Sequence, residues 1–230
     1  MDFGYIEKNL YTLLNDIERC ASNAGVKTPR LVAVTKSGSD EELLALVRAG
    51  AYAIGENRPG ELARRGALIK DAGLSAELHQ IGTLQSNKAK LVADSSALIH
   101  SLDSHSLAKE LDKQGKKLGI KIPALIEINS AREPQKSGVL PEDAEEFLLS
   151  VSKYESISVT GLMTMGPVSD EPENLRRYFK LTRELFDKLN SRYGFGDTPT
   201  LSMGMSDSYR VAIEEGSTLV RVGRRLFIKE

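Results

Sequence analysis

The sequence predicts an α/β protein: a single (β/α)8 TIM-type barrel over residues 1–230, with an extra helix in front. Three observations carry this. Eight short apolar runs alternate with amphipathic stretches, the pattern of a parallel sheet. The 230 residues are close to the roughly 250 typical of eight such units. The loop after the first run holds only Gly38, so the glycine fingerprint of an open doubly wound sheet is missing.

The elements follow in order. Ile6, Leu10, Leu13, Leu14, Ile17 and Ala21 recur at helical spacing, so residues 2–24 form an amphipathic helix capped by Gly25. Leu31–Val34 is a strand apolar on both faces, closed by Thr35 and Lys36. Ser39 and Glu42 are spaced as a capping box opening helix 40–49. Strand Ala51–Gly55 leads into Glu56-Asn57-Arg58 and a helix near 60–71. Strand Glu77–Ile81 precedes a short helix, and strand Ala97–Leu102 precedes helix 105–118, capped by Ser104. Ile120–Ile128 is a long apolar strand, and Pro141 suits the first turn of helix 141–151. Strand Ile157–Leu162 comes next, and Asp170 and Pro172 open helix 172–192. Strand Thr200–Met203, helix Ser206–Glu215 and strand Thr218–Val222 complete the set.

Charge and composition exclude some classes. Thirty-one basic against 32 acidic residues leave a net charge of −1, with no general pull toward nucleic acid or anionic membrane. No apolar run approaches the ~20 residues of a membrane span, and the start has neither the basic nor the apolar region of a signal peptide. One cysteine, Cys20, permits no internal disulfide. The expectation is a cytoplasmic protein. The three histidines match no zinc spacing, so no metal site is expected.

In a barrel, the loops after the strands share one face, and chemistry gathers there. Lys36 stands at that end of the first strand. Gly204 and Ser206 follow the seventh, and Gly223 follows the eighth. Barrels often hold a phosphate on the last two loops. Glycine lets backbone approach a ligand, and Ser206 is expected at a helix N-cap, where free amides attract anions. A lysine opposite a phosphate cradle suggests a phosphorylated carbonyl compound held as an imine. Two ligand classes fit: a sugar phosphate in an imine-forming aldolase, or pyridoxal phosphate. Strand alternation puts Arg221 and Leu219 on one face, Val220 and Val222 on the other. An inward arginine needs an acceptor, and a pyridine nitrogen is one; arginine would leave that nitrogen unprotonated and a weaker electron sink.

At this point a resemblance becomes specific. The chain resembles the pyridoxal phosphate homeostasis proteins (the YggS/PROSC group), related in fold to the barrel domain of alanine racemase. The matching stretches are Val32–Lys36, Gly55-Glu56-Asn57, His79–Gly82 with Gln85–Lys88, and Ile126–Ser130 with Lys136-Ser137-Gly138. Gly161–Met165 and Leu201–Asp207 follow, continuing through Ala212-Ile213 and Gly216-Ser217-Thr218 to Arg221-Val222-Gly223. They span nearly the whole chain in order. The resemblance implies pyridoxal 5'-phosphate held as a Schiff base on Lys36, with Arg221 facing the pyridine nitrogen. It implies that Ser206, Gly223 and the amide of Arg224 hold the phosphate, and that Asn57 and Met203 line the ring pocket. Lys136 is placed near the phenolic oxygen.

Two departures stand out. Arg58-Pro59-Gly60-Glu61 replaces the family's usual bulky residue and Val-Gln-Glu, and Arg224 stands where threonine is frequent. The chain ends at Glu230, with no room for the racemase's second domain and its catalytic tyrosine. The expectation is therefore a non-catalytic monomer acting in vitamin B6 homeostasis and cofactor delivery, with apo pyridoxal phosphate enzymes as recipients. A pyridoxal-phosphate-dependent amino acid racemase is the alternative.

Overall fold

A computed structural model describes residues 3–167, 169 and 171–229. The expected start of the first helix at Asp2 and the expected helix opener Asp170 lie outside the described residues. Eight parallel strands close into a barrel in chain order: β1 (Arg30–Val34), β2 (Ala53–Glu56), β3 (Glu77–Gln80), β4 (Leu98–Leu102), β5 (Ile122–Glu127), β6 (Ile157–Met163), β7 (Thr200–Ser202) and β8 (Leu219–Val222). Closure pairs Val32 with Arg221 and Ala33 with Val222. The helices are α1 (Gly4–Ala24), α2 (Asp40–Arg48), α3 (Pro59–Asp71), α4 (His105–Leu118), α5 (Ala144–Val151), α6 (Arg176–Tyr193) and α7 (Tyr209–Glu214).

Alternation along the strands builds two separate cores. Val32, Val34, Ala53, Ile81, Leu98, Leu125, Met163 and Leu219 fill the barrel interior. Residues of the opposite parity, such as Ala33, Ile54, Leu162, Leu201, Val220 and Val222, pack outward against the helices. Each fully buried aliphatic side chain in that shell contributes roughly 1.5–3 kcal/mol. The extra helix α1 lies across α2 and α7. Its Ile6, Leu10, Leu13, Ile17 and Ala21 are buried, and Asp16 binds the hydroxyl of Tyr209 and, at 2.8 Å, Nε of Arg210. Leu14, which the same spacing includes, stays exposed.

The caps explain where several helices begin and end. The box at Ser39 is complete: Glu42 N donates to Ser39 Oγ at 3.2 Å, and Ser39 N donates to Glu42 Oε2 at 2.7 Å. Gly25 ends α1 with φ +66°, as the sequence suggests. Other boundaries move. β2 starts two residues later than expected, and β5 starts at Ile122, leaving Ile120 exposed. Pro141 sits in a turn, and α5 begins only at Ala144. The stretch from Pro172 opens as a 3-10 turn, Pro172–Leu175, before α6. Between β3 and β4 the connection is the 3-10 segment Ser86–Leu91. Among the described residues no helix is long and apolar enough to cross a membrane.

Candidate functional site

The carboxyl ends of the strands form one mouth, and β1 delivers Lys36 to it. The ladder with β2 runs on through the amide of Thr35, which donates to Gly55 O at 3.2 Å. A tight turn follows, with Gly38 N donating to Thr35 O at 2.9 Å, so Lys36 and Ser37 are its central residues. Val32 and Val34 point into the barrel, and Lys36 follows them in the turn at the rim, where it is exposed.

That turn is held from outside the barrel. Arg65 of α3 donates from Nη1 to Thr35 O at 2.5 Å and from Nη2 to Gly38 O at 2.8 Å, gripping a carbonyl on each side of Lys36-Ser37. The same Nη1 meets Glu56 Oε1 at 2.5 Å, and Thr35 Oγ1 donates to that oxygen too. Both charges are buried, so each depends on the other. Pro59 occupies the first turn of α3. The departure at Arg58-Pro59-Gly60 thus starts that helix directly after β2.

Opposite, the turns after β7 and β8 touch one another. Gly223 N donates to Ser206 Oγ at 3.3 Å, and Arg225 Nε donates to Ser206 O at 3.0 Å. A Cβ on Gly223 would lie 2.7 Å from Val34 O, so only glycine lets this turn settle against β1. Gly38 likewise lies directly under the ring of Phe227. The lysine turn and the β8 turn therefore share one side of the mouth.

Several expectations change in detail. Ser206 is not an N-cap: residues 206–208 form a turn, α7 begins at Tyr209, and Ser208 Oγ accepts from Met205 N at 3.1 Å. Gly204 (φ +92°) serves packing: its missing Cβ would lie 2.6 Å from Ala212 Cβ, so it admits α7 rather than a ligand. Met203 is fully buried in the outer shell, on the opposite parity from Ser202, with no face toward the mouth. Arg224 turns its guanidinium to Asp207, and both side chains are exposed. Asn57 is exposed at the end of β2, where its carbonyl accepts from Gln80 Nε2 at 3.0 Å. Lys136 donates to Gly166 O at 3.1 Å and pairs with Glu133, tying the β5 loop to the β6 loop at the rim.

Arg221 points into the barrel as alternation requires, buried to 4% exposure. It donates from Nη1 to Ser202 Oγ and from Nη2 to Thr164 O at 3.1 Å. Complete desolvation lowers its pKa to about 10, opposed by Glu127, and it remains a cation at neutral pH. Sequence reasoning misses its surroundings. Glu127, two residues beyond interior Leu125, is buried, and its Oε2 has no hydrogen-bond partner among the described residues. Burial first, then Asp103, pushes its carboxyl up to about 7. His79 and His100 are buried inside the barrel, Nδ1 of the first 2.9 Å from Nε2 of the second. Parity within β3 and β4 was the available signal for both.

The mouth brings together cationic side chains and tight turns. An arginine stands at the base, a lysine at the rim, and glycine and serine turns beside it. The closed, eight-stranded parallel barrel is the fold of the alanine-racemase class of barrels. The family model described as alanine racemase, N-terminal domain, matches residues 9–229. The pyridoxal phosphate homeostasis protein of Aquifex aeolicus is 38% identical over 222 residues, covering 96% of each chain. That of Helicobacter pylori (strain 26695) is 36% identical over 200 residues, covering 86% of each. The structure of PipY from Synechococcus elongatus with PLP bound superposes with a TM-score of 0.83 at 28% identity, over 97% of this chain and 100% of that one. The chain belongs to the pyridoxal phosphate homeostasis proteins, within the alanine racemase N-terminal-domain family.

Proposed function

We propose that this chain binds pyridoxal 5'-phosphate at the mouth of the barrel as a Schiff base on Lys36, and buffers or delivers the cofactor without catalytic turnover. One observation carries the reading: Lys36 stands at the rim two residues beyond β1, and Arg221 is buried on β8, the strand paired with β1. Supporting it, a relative of the same fold has PLP bound. Ser206, Gly223 and the amide of Arg224 are the groups to hold the phosphate. The Arg224 side chain is spent on Asp207 and offsets that carboxylate beside the cradle. Asn57 stands at the rim beside the ring. When bound, the cofactor supplies an aldehyde for the lysine and a ring able to withdraw electrons.

Arg221 limits that withdrawal. A guanidinium only donates, so the ring nitrogen opposite it stays unprotonated. This suits storage better than demanding chemistry. The cytoplasm is the compartment of action, the protein works as a monomer, and the recipients are apo forms of pyridoxal phosphate enzymes.

The test is one absorbance spectrum of the purified protein loaded with pyridoxal phosphate, before and after borohydride. A visible band that borohydride bleaches is expected, and Lys36→Ala removes it. A Lys36→Ala protein that still yellows moves the imine, with Lys136 the next position to examine. Exchange of an amino acid's α-hydrogen for deuterium at an enzyme-like rate would instead make the protein a racemase.

A further inference from the structure

We propose that Ser202, His100, His79 and Glu77 form a one-way hydrogen-bond relay along the barrel axis that holds Arg221 in position and turns no hydrogen of its own toward it. The inference deepens the reading that Arg221 faces the pyridine nitrogen, and rests on it for its purpose but not for its geometry.

The direction of every bond follows from the two ends. Arg221 carries donors only, so Ser202 Oγ accepts from Nη1. The serine hydroxyl then gives its single hydrogen to His100 Nδ1, 3.0 Å away. A ring nitrogen that accepts carries no proton, so neutral His100 has its hydrogen on Nε2. That nitrogen donates to His79 Nδ1 at 2.9 Å. His79 is thereby fixed with its own hydrogen on Nε2, which meets Glu77 Oε2 at 3.3 Å. A carboxylate accepts only, so the chain ends there. Obligate donor and obligate acceptor at opposite ends select one tautomer for each ring. Reversing any link would set two hydrogens or two lone pairs face to face in a dry interior.

The surroundings agree with a neutral His100 and an ionised terminus. His100 is completely buried, and desolvation, then His79 and Arg221, hold its pKa well below the ordinary value. Glu77 is kept ionised by the hydrogen bond from His79, helped by Tyr52, whose hydroxyl donates to Oε1 at 3.1 Å. Glu77 sits at the amino-terminal end of β3, on the wall of a cavity of about 250 Å3 under α1. The relay therefore runs from the end of the barrel opposite Lys36 up to the arginine.

Two consequences follow for Arg221. Of its five N–H groups, one is committed to Ser202 and one to Thr164 O, so the plane of the guanidinium is set before any ligand arrives. No hydrogen of the relay points toward that plane. Ser202, its hydrogen committed to His100, cannot protonate a ring nitrogen placed against Arg221. Ser202, His100 and His79 are in this sense positioning residues.

The experiment uses ligand-free protein with 15N-labelled histidine and arginine, at neutral pH. Histidine 15N spectra should show both His79 and His100 neutral, with a pyridine-type Nδ1 and a pyrrole-type Nε2. A protonated Nδ1 on either ring overturns the relay. The Arg221 side-chain N–H signals should exchange slowly in the parent, at least about tenfold faster in Ser202→Ala, and slowly again in Ser202→Thr, which restores a hydroxyl. Binding of pyridoxal phosphate, read by equilibrium dialysis, should weaken in Ser202→Ala by about tenfold and recover in Ser202→Thr. Unchanged exchange and unchanged binding in Ser202→Ala overturn the positioning role. A parent protein with the expected tautomers that binds no pyridoxal phosphate sinks the functional reading and leaves the relay standing.

Discussion

Glu127→Gln isolates the energetic cost of the carboxyl buried at the mouth. The Glu127 side chain is 3% exposed, one oxygen has no partner among the described residues, and its pKa rises from an ordinary 4.5 to about 7. The folded state therefore holds this proton more tightly than the unfolded chain. Below pH 4.5 both states carry it and the group costs nothing. Between 4.5 and about 7 the unfolded chain releases it first, so stability falls as pH rises. Above 7 the folded state must hold a buried carboxylate, and the loss is complete. At 1.36 kcal/mol for each pH unit of that interval, the loss comes to about 3 kcal/mol. Glutamine keeps the shape and never ionises. Any cost of burying its amide is the same at every pH, so the pH dependence of the difference is the signal. Urea unfolding of cofactor-free parent and variant, from pH 5 to pH 8.5, reads it. The variant should gain on the parent by roughly 2–3 kcal/mol across that range. Two stability curves that stay parallel would refute the reasoning.

Four other outcomes follow from the same contacts. Arg65→Met leaves Glu56 charged and buried without its partner, so urea unfolding should show a loss of about 3–5 kcal/mol. Adding Glu56→Gln to that variant should recover much of the loss. Hydrogen exchange at residues 36–38 should quicken in Arg65→Met, because the grip on Thr35 O and Gly38 O is gone. Gly223→Ala drives a methyl against Val34 O and displaces the β8 turn, and pyridoxal phosphate binding read by dialysis should weaken by at least about tenfold.

The barrel is legible because each strand is a short apolar run between turn signals, and because Val32, Val34, Leu219 and Arg221 show their faces by parity alone. The Ser39–Glu42 box is equally local, a matter of three residues' spacing. Boundaries that depend on tertiary contacts are not legible in this way. Ser206 matches an N-cap by type, yet its hydroxyl is taken by Gly223 from another loop, and α7 starts three residues later. Met203 belongs to a matching motif, while its parity sends it outward. The polar interior is the largest omission. His100 and Ser202 are 102 residues apart in sequence, and only closure of the barrel brings them to 3.0 Å. Arg65 carries no local mark either, since the carbonyls it grips belong to a turn some 30 positions earlier.

The central claim is that Lys36 is the point of covalent attachment. Protein loaded with pyridoxal phosphate, reduced with borohydride, digested and read by mass spectrometry gives the address directly. The account predicts a pyridoxyl group on the peptide containing Lys36 and on no other. The same mass on the peptide containing Lys136, or an unmodified Lys36 in a protein that has retained the cofactor, would contradict it.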